Sequence, residues 1–210
     1  MKKYLLALVA GVAGFAAVLP AARAQDGWQQ GLYISGSAGW NHTQDQKITG
    51  ASKSNLKEGY GLSGAVGYDY GNNVRTEIEL SYRSNKVDGL SDNTGPFASP
   101  GGKVTATAVM ANAYYDIPTA TPVTPYIGAG IGIAHVKTDN YSTAGTIISD
   151  GKDNAFAYQG ILGADYALES DLSLFGEYRY FSTEKVNMGY GNKGTYHNHA
   201  LMAGLKYSFN

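Results

Sequence analysis

The chain of 210 residues has no cysteine, only 16% charged residues, and a net charge of −1. Without cysteine there is no disulfide framework, no thiolate metal site and no thiol nucleophile. Sixteen basic residues against seventeen acidic ones give no electrostatic footprint for gripping a nucleic-acid backbone. Leucine-rich helical periodicity is absent past the first 20 residues, which excludes a helical bundle. Proline is scarce, and Pro96, Pro100, Pro118, Pro122 and Pro125 all fall in connections or at a strand start, as hydrogen-bonded ladders require. What is abundant is glycine, at 28 residues about twice the usual ~7%, and tyrosine, at 17.

The first segment is a targeting signal. Lys2 and Lys3 precede an apolar run from Tyr4 to Leu19, and Ala22-Arg23-Ala24 supplies the small residues of a cleavage site. Sixteen apolar residues are short for a spanning helix, which needs roughly 17 to 25. Residues 1–24 are therefore read as a secretory signal peptide and 25–210 as a single domain.

The domain alternates with a period of two in eight segments, 32–41, 60–70, 74–83, 109–117, 127–134, 156–166, 172–181 and 200–209. In the third, Val74, Thr76, Ile78, Leu80 and Tyr82 alternate with Arg75, Glu77, Glu79, Ser81 and Arg83. In the fifth, Ile127, Ala129, Ile131 and Ile133 alternate with Gly128, Gly130, Gly132 and Ala134. Residues 43–58, 84–102, 138–154 and 183–195 read as long polar loops, and 71–73, 118–124 and 167–170 as short turns. Eight such strands predict an all-β fold, an antiparallel up-and-down barrel.

Volume decides which face is inside. An eight-stranded barrel is only just wide enough for side chains, so the concave face is expected to carry the small residues, and here the small face is the polar one. A convex apolar surface meets lipid, which makes the barrel transmembrane. Outward Tyr68, Tyr70, Tyr115, Tyr166, Tyr207 and Phe209 fall beside the short turns, while Trp40, Tyr60, Tyr82, Tyr158 and Tyr180 fall near the long loops. These are two expected interfacial girdles.

With these residues laid out, the chain resembles the OmpA-like outer-membrane β-barrel family, especially the opacity-protein and Omp25-type surface antigens of Gram-negative bacteria. The resemblance rests on Gly31-Leu32-Tyr33-Ile34-Ser35-Gly36, Arg75-Thr76-Glu77-Ile78-Glu79-Leu80, Asn112-Ala113-Tyr114-Tyr115-Asp116, Pro125-Tyr126-Ile127-Gly128, Glu177-Tyr178-Arg179-Tyr180-Phe181 and Gly204-Leu205-Lys206-Tyr207-Ser208-Phe209. It implies location in the cell outer membrane after signal-peptide-directed export, with periplasmic chaperones and the barrel assembly machinery as partners in insertion. Tyr207 and Phe209 match the family's C-terminal insertion signal, although Asn210 follows.

Three sets of residues are candidates for a role. Arg75, Arg83, Arg179 and Lys206 face inward with Glu77, Glu79 and Glu177, and pairing in a narrow lumen predicts a structural salt-bridge plug, with an ion gate as the sharper alternative. His42, His197 and His199 extend the outward face at the loop ends of strands that must be neighbours, and His135 does the same elsewhere. They are expected to be ordinary interface residues, with two sharper alternatives: protonated imidazoles meeting lipopolysaccharide phosphates, or His197 and His199 with one more ligand holding a transition metal. An enzyme is not expected: lipid A deacylases use a His with a Ser two residues on, whereas Gln44, Lys137, His199 and Leu201 occupy those positions. No cofactor is expected. The exposed loops are the place for a host or surface ligand. The leading expectation is a structural, envelope-integrity and surface-antigen role, with an adhesin or a narrow pore as alternatives.

Overall fold

The computed structural model describes residues 30–43, 46–48, 52–92, 95–96, 101–143, 146–187 and 193–209, so the signal peptide assigned to 1–24 lies outside the described residues. Eight long strands form one closed antiparallel sheet: β1 (Gly31–Thr43), β2 (Ser52–Asp69), β3 (Val74–Asp92), β4 (Gly101–Asp116), β5 (Val123–Thr143), β6 (Thr146–Ala167), β7 (Leu172–Thr183) and β8 (His197–Phe209). Each pairs with its sequence neighbour, and β1 closes on β8 from Leu32↔Phe209 to Thr43↔Asn198. Closure leaves no sheet edge for hydrocarbon to strip of hydrogen bonds.

The register fixes the stagger. Following paired residues from Ala38 through Leu62, Tyr82, Thr107 and His135 leads to Asn154 on β6. The opposite way round, through Ala203 and Gly176, leads to Ala164, ten residues further along the same strand. A stagger of ten is even, so inward and outward positions meet consistently at the seam. It also tilts the strands, to roughly 40° for eight strands.

All eight alternating faces point as the sequence predicts. Leu32, Ile34, Leu62, Val66, Leu80, Ile127, Ile131, Leu162, Leu201 and Leu205 are exposed on the convex surface. With the stagger taken into account, Trp40, Tyr60, Tyr82 and Tyr158 form one girdle. Tyr68, Tyr115, Tyr166, Tyr207 and Phe209 form the other, roughly 20 Å below at about 3.3 Å per tilted residue.

Two expectations are corrected. Much of what reads as loop is strand. The β5–β6 hairpin stays paired up to Thr143↔Thr146, and β2–β3 up to Lys53↔Ser91, so 138–143, 146–154 and parts of 43–58 and 84–102 are extended ladders. Above the membrane both faces of a ladder can be polar, which erases the alternation that marks a strand in sequence. Nor is the concave face uniformly small: Tyr33, Tyr114, Tyr126, Met110, Phe175 and Phe181 are buried inside. The small residues are their sockets. A Cβ on Gly67 would run into the Tyr33 ring, on Gly128 into Tyr114, on Gly163 into Tyr126 and on Gly204 into Phe175. Large side chains of one strand thus lie over glycines of the next.

The periplasmic turns are tight for identifiable reasons. In Gly71-Asn72-Asn73 both Gly71 (φ 70°) and Asn73 (φ 68°) are left-handed, the conformation that glycine and asparagine tolerate. Asp69 Oδ1 accepts the Gly71 N–H at 2.8 Å.

Candidate functional site

The lumen has two layers. The lower one, level with the lipid-facing band, is charged. Arg75 donates two hydrogen bonds to Asp116, Nε to Oδ2 at 2.6 Å and Nη2 to Oδ1 at 2.8 Å, and its Nη2 lies 3.4 Å from Asp165. The rings of Tyr114, Tyr126 and Tyr33 surround its guanidinium at 4.9, 5.0 and 5.7 Å. Lys206 donates to Asp165 at 2.8 Å. Glu77 accepts from the Tyr114 hydroxyl at 2.6 Å, Asn112 at 3.0 Å and the Tyr33 hydroxyl at 3.1 Å. Arg179 bridges Glu177, at 2.6 Å, and Glu79. Between these groups about 20 Å³ remains, room for one water.

The upper layer is apolar. Val104, Ala106, Ala108, Met110, Ala134, Val136, Ala155, Ala157, Phe181, Val186 and Tyr196 form a buried cluster. Val186 lies in the connection that reads as a polar loop in sequence and Tyr196 just beyond it, and both are fully buried. The segment is tied down by paired backbone bonds between Thr183 and Glu184 on one side and Tyr196 and Phe156 on the other. A polar bolt crosses this layer: the Tyr196 hydroxyl donates to Asn85 at 3.0 Å, Asn85 to Asn41 at 2.6 Å, and Asn41 to the Tyr60 carbonyl at 2.9 Å.

The seven charged residues picked out by alternation all face inward, but they do not form one network. Arg75 and Lys206 belong to a lower cluster, and Glu79, Glu177 and Arg179 to a middle one, with Glu77 held by hydroxyls and an amide rather than by a cation. Arg83 departs furthest. It makes no ion pair among the described residues; it donates to Ser81 at 2.9 Å and to Gln159 at 3.4 Å and stacks on Phe181 at 4.1 Å, inside the apolar layer. Asp116 and Asp165, outside the seven, share the inward parity of their strands and are buried in the lower cluster. Both short acidic side chains sit at periplasmic strand ends, where a turn residue and a lumen residue look alike in sequence.

The histidines lie where the strand ends place them. His42 and His199 are directly paired across β1 and β8. The ring nitrogens, however, largely meet hydroxyls. Nδ1 of His199 is 2.5 Å from the Tyr178 hydroxyl, and its Nε2 is buried without a partner. His197 is held by Tyr180, Ser182 and Thr195 at 3.1, 3.0 and 2.9 Å. Among the described residues no three His, Asp or Glu side chains gather as metal ligands. A His–Ser pair does form between His197 and Ser182, which register brings together from β8 and β7 although they lie 15 residues apart. Ser182 is fully buried, so that hydroxyl packs the rim and offers no accessible nucleophile. Tyr207 and Phe209 face outward with rings 5.1 Å apart, edge to face.

Comparison with known proteins agrees with this geometry. The family model for the outer membrane protein beta-barrel domain matches residues 7–209. Outer membrane protein PagN of Salmonella typhimurium is 29% identical over 186 residues, covering 76% of this chain and 77% of PagN. Major surface antigen 4 of Anaplasma marginale is 32% identical over 133 residues, 54% of this chain and 43% of the antigen. Apart from PagN, the chain spans about half the length of the curated relatives it matches. Among solved structures, Neisserial surface protein A superposes with a TM-score of 0.61 at 22% identity, over 85% of this chain and 97% of that one. OprG from Pseudomonas aeruginosa gives 0.57 at 17% identity, over 88% and 98%. At these identities the likeness is one of fold. An apolar convex surface between two aromatic girdles, a closed eight-stranded ladder and the family match lead to one conclusion: the chain belongs to the outer membrane protein beta-barrel domain family and resides in the outer membrane.

Proposed function

We propose that the protein is a structural outer-membrane barrel that holds its extracellular hairpins rigidly at the cell surface, contributing to envelope integrity and presenting a surface antigen. The observation that carries this reading is the continuation of strand pairing well beyond the upper girdle, on β5–β6 as far as Thr143↔Thr146. A ladder of that length is a stiff platform, and a rigid scaffold with exposed tips is where binding residues are placed. The name of the Anaplasma relative, a major surface antigen, supports the same reading. Adhesion through those hairpins is the second reading, favoured by their stiffness. A diffusion pore is disfavoured by a lumen filled with paired charges below and apolar side chains above.

Within this reading the charged layer is a structural plug, and Tyr207 and Phe209 serve the assembly machinery after chaperone-assisted transit. A lipopolysaccharide-facing role for His42, His197 and His199 is supported by their position at the rim. No catalytic role is inferred. Replacing the tips of the β2–β3 and β5–β6 hairpins with short Gly/Ser turns in the native host tests the proposal. Sensitised growth in detergent with attachment intact supports the structural role; lost attachment with normal detergent resistance replaces it with adhesion. Swelling of proteoliposomes in small sugars would overturn the sealed lumen.

A further inference from the structure

The four histidines differ in how far the fold employs their ring nitrogens. His197 has both engaged, Nδ1 with the hydroxyls of Tyr180 and Ser182 and Nε2 with that of Thr195. His135 has Nδ1 held by Asn154 Oδ1 at 2.8 Å, and its strand neighbours Thr107 and Asn154 bring no second imidazole. His199 is engaged on one side alone: Nδ1 lies 2.5 Å from the Tyr178 hydroxyl, while Nε2 is buried without a hydrogen-bond partner. His42 is exposed and has neither a hydrogen bond nor an ion pair among the described residues.

The two rings with unused nitrogens stand directly opposite each other. His42↔His199 is the pair next to Thr43↔Asn198, where the seam between the first and last strands ends. Both lie on the outward face, one step above Trp40 and Leu201, which are exposed. Side chains directly opposite on antiparallel strands have Cβ atoms about 5 Å apart, a separation from which two imidazoles reach one ion at roughly 2.0 Å each.

The unpartnered nitrogen also has the surroundings of a ligand. A buried polar atom with no protein partner calls for a water or an ion. A metal-binding histidine typically has its other ring nitrogen donating to an oxygen, which fixes the tautomer and leaves the lone pair free. Tyr178 supplies that oxygen to His199, and the Tyr180 ring, 5.1 Å from His199 and stacked on His197 at 6.2 Å, braces the two imidazoles of β8. His42, exposed and held by no bond, is the ring that turns to complete the pair.

We propose that His42 and His199 form a two-histidine site for a divalent transition metal, which clips β1 to β8 at the extracellular end of the seam. Imidazole nitrogen suits copper, nickel and zinc, with copper bound most tightly at a site of given ligands. The remaining coordination positions are left to water. His197, on the same face of β8, spends its nitrogens on hydroxyls and is not a ligand; Tyr178 is a positioning residue that acts through His199.

The test uses the full barrel without an affinity tag in detergent micelles, with Cu2+, Ni2+ and Zn2+ alone as probes, read by titration calorimetry and thermal unfolding. Wild type is expected to bind one Cu2+ per chain. At a hundredfold excess over its dissociation constant the ion should raise the melting temperature by roughly 5 °C, in the order Cu2+ above Ni2+ above Zn2+. H42Q and H199Q should each abolish the shift, H197Q should keep it, and Tyr178→Phe should weaken binding about tenfold. Electron paramagnetic resonance of the copper form should count two imidazole nitrogens. Absence of any metal-dependent shift in wild type would overturn the proposal, as would an equal shift in H42Q/H199Q. Loss of binding in H197Q with H42Q unaffected would assign the ligands to β8 alone and overturn it too.

Discussion

The lower and upper halves of this barrel are built inside out with respect to each other. Within the membrane the exterior is apolar and the interior is filled with ion pairs and tyrosine hydroxyls. Above the upper girdle the exterior carries lysine, histidine, asparagine and threonine, and the interior is an alanine, valine and phenylalanine core. The exchange follows from the solvent. In water an apolar interior is driven together by the hydrophobic effect. In lipid that drive vanishes, because tails are as apolar as leucine. Sidedness in the lower half then has to be specified by polar groups that only the lumen can satisfy.

The largest test of this contrast removes one partner from the lower half. Arg179→Met leaves Glu79 and Glu177 buried without their shared cation and is expected to cost about 3–5 kcal/mol. Denaturant unfolding in micelles measures the loss, and Glu79→Leu added to the same chain should restore part of it. No loss in the single variant would mean that the carboxylates are hydrated or protonated in the lumen. In the upper half, Phe181→Ala opens a cavity where the ring packs on Arg83 and Tyr196, for about 3 kcal/mol. Its cost should be insensitive to salt. A third variant moves to the outside. Leu162 is 59% exposed on the lipid face midway between the girdles, and Leu162→Arg is expected to cost about 2 kcal/mol or more in bilayers. The smallest effect is predicted for Thr105→Lys, an outward position above the girdle, within about 0.5 kcal/mol by the same unfolding measurement. If the last two variants cost the same, the girdle does not mark the boundary where the barrel changes character.

The two halves were unequally legible. In the lower half alternation assigned every strand face, because lipid on one side and a crowded lumen on the other force a period of two. The same alternation brought out Arg75, Glu77, Glu79, Glu177, Arg179 and Lys206 as lumen charges. It did not distribute them into clusters, since partners such as Arg75 and Asp116 lie 41 residues apart and meet only through register. In the upper half Val104, Ala106 and Val136 lie among Lys103, Thr105 and Lys137, and the stretch reads as loop because water outside permits polar residues at every other position. Val186 gave no warning that a polar connection folds back over the lumen.

Sequence alone determined the strand count, the inside and outside of each strand, the aromatic girdles and hence the membrane address. Each of these depends on what one residue and its near neighbours must face. The tertiary structure decided the stagger of ten, the pairing of large lumen side chains with glycine sockets, and the split of the charges into separate clusters. These depend on how strands slide past one another, a relation between distant segments that a period of two leaves free.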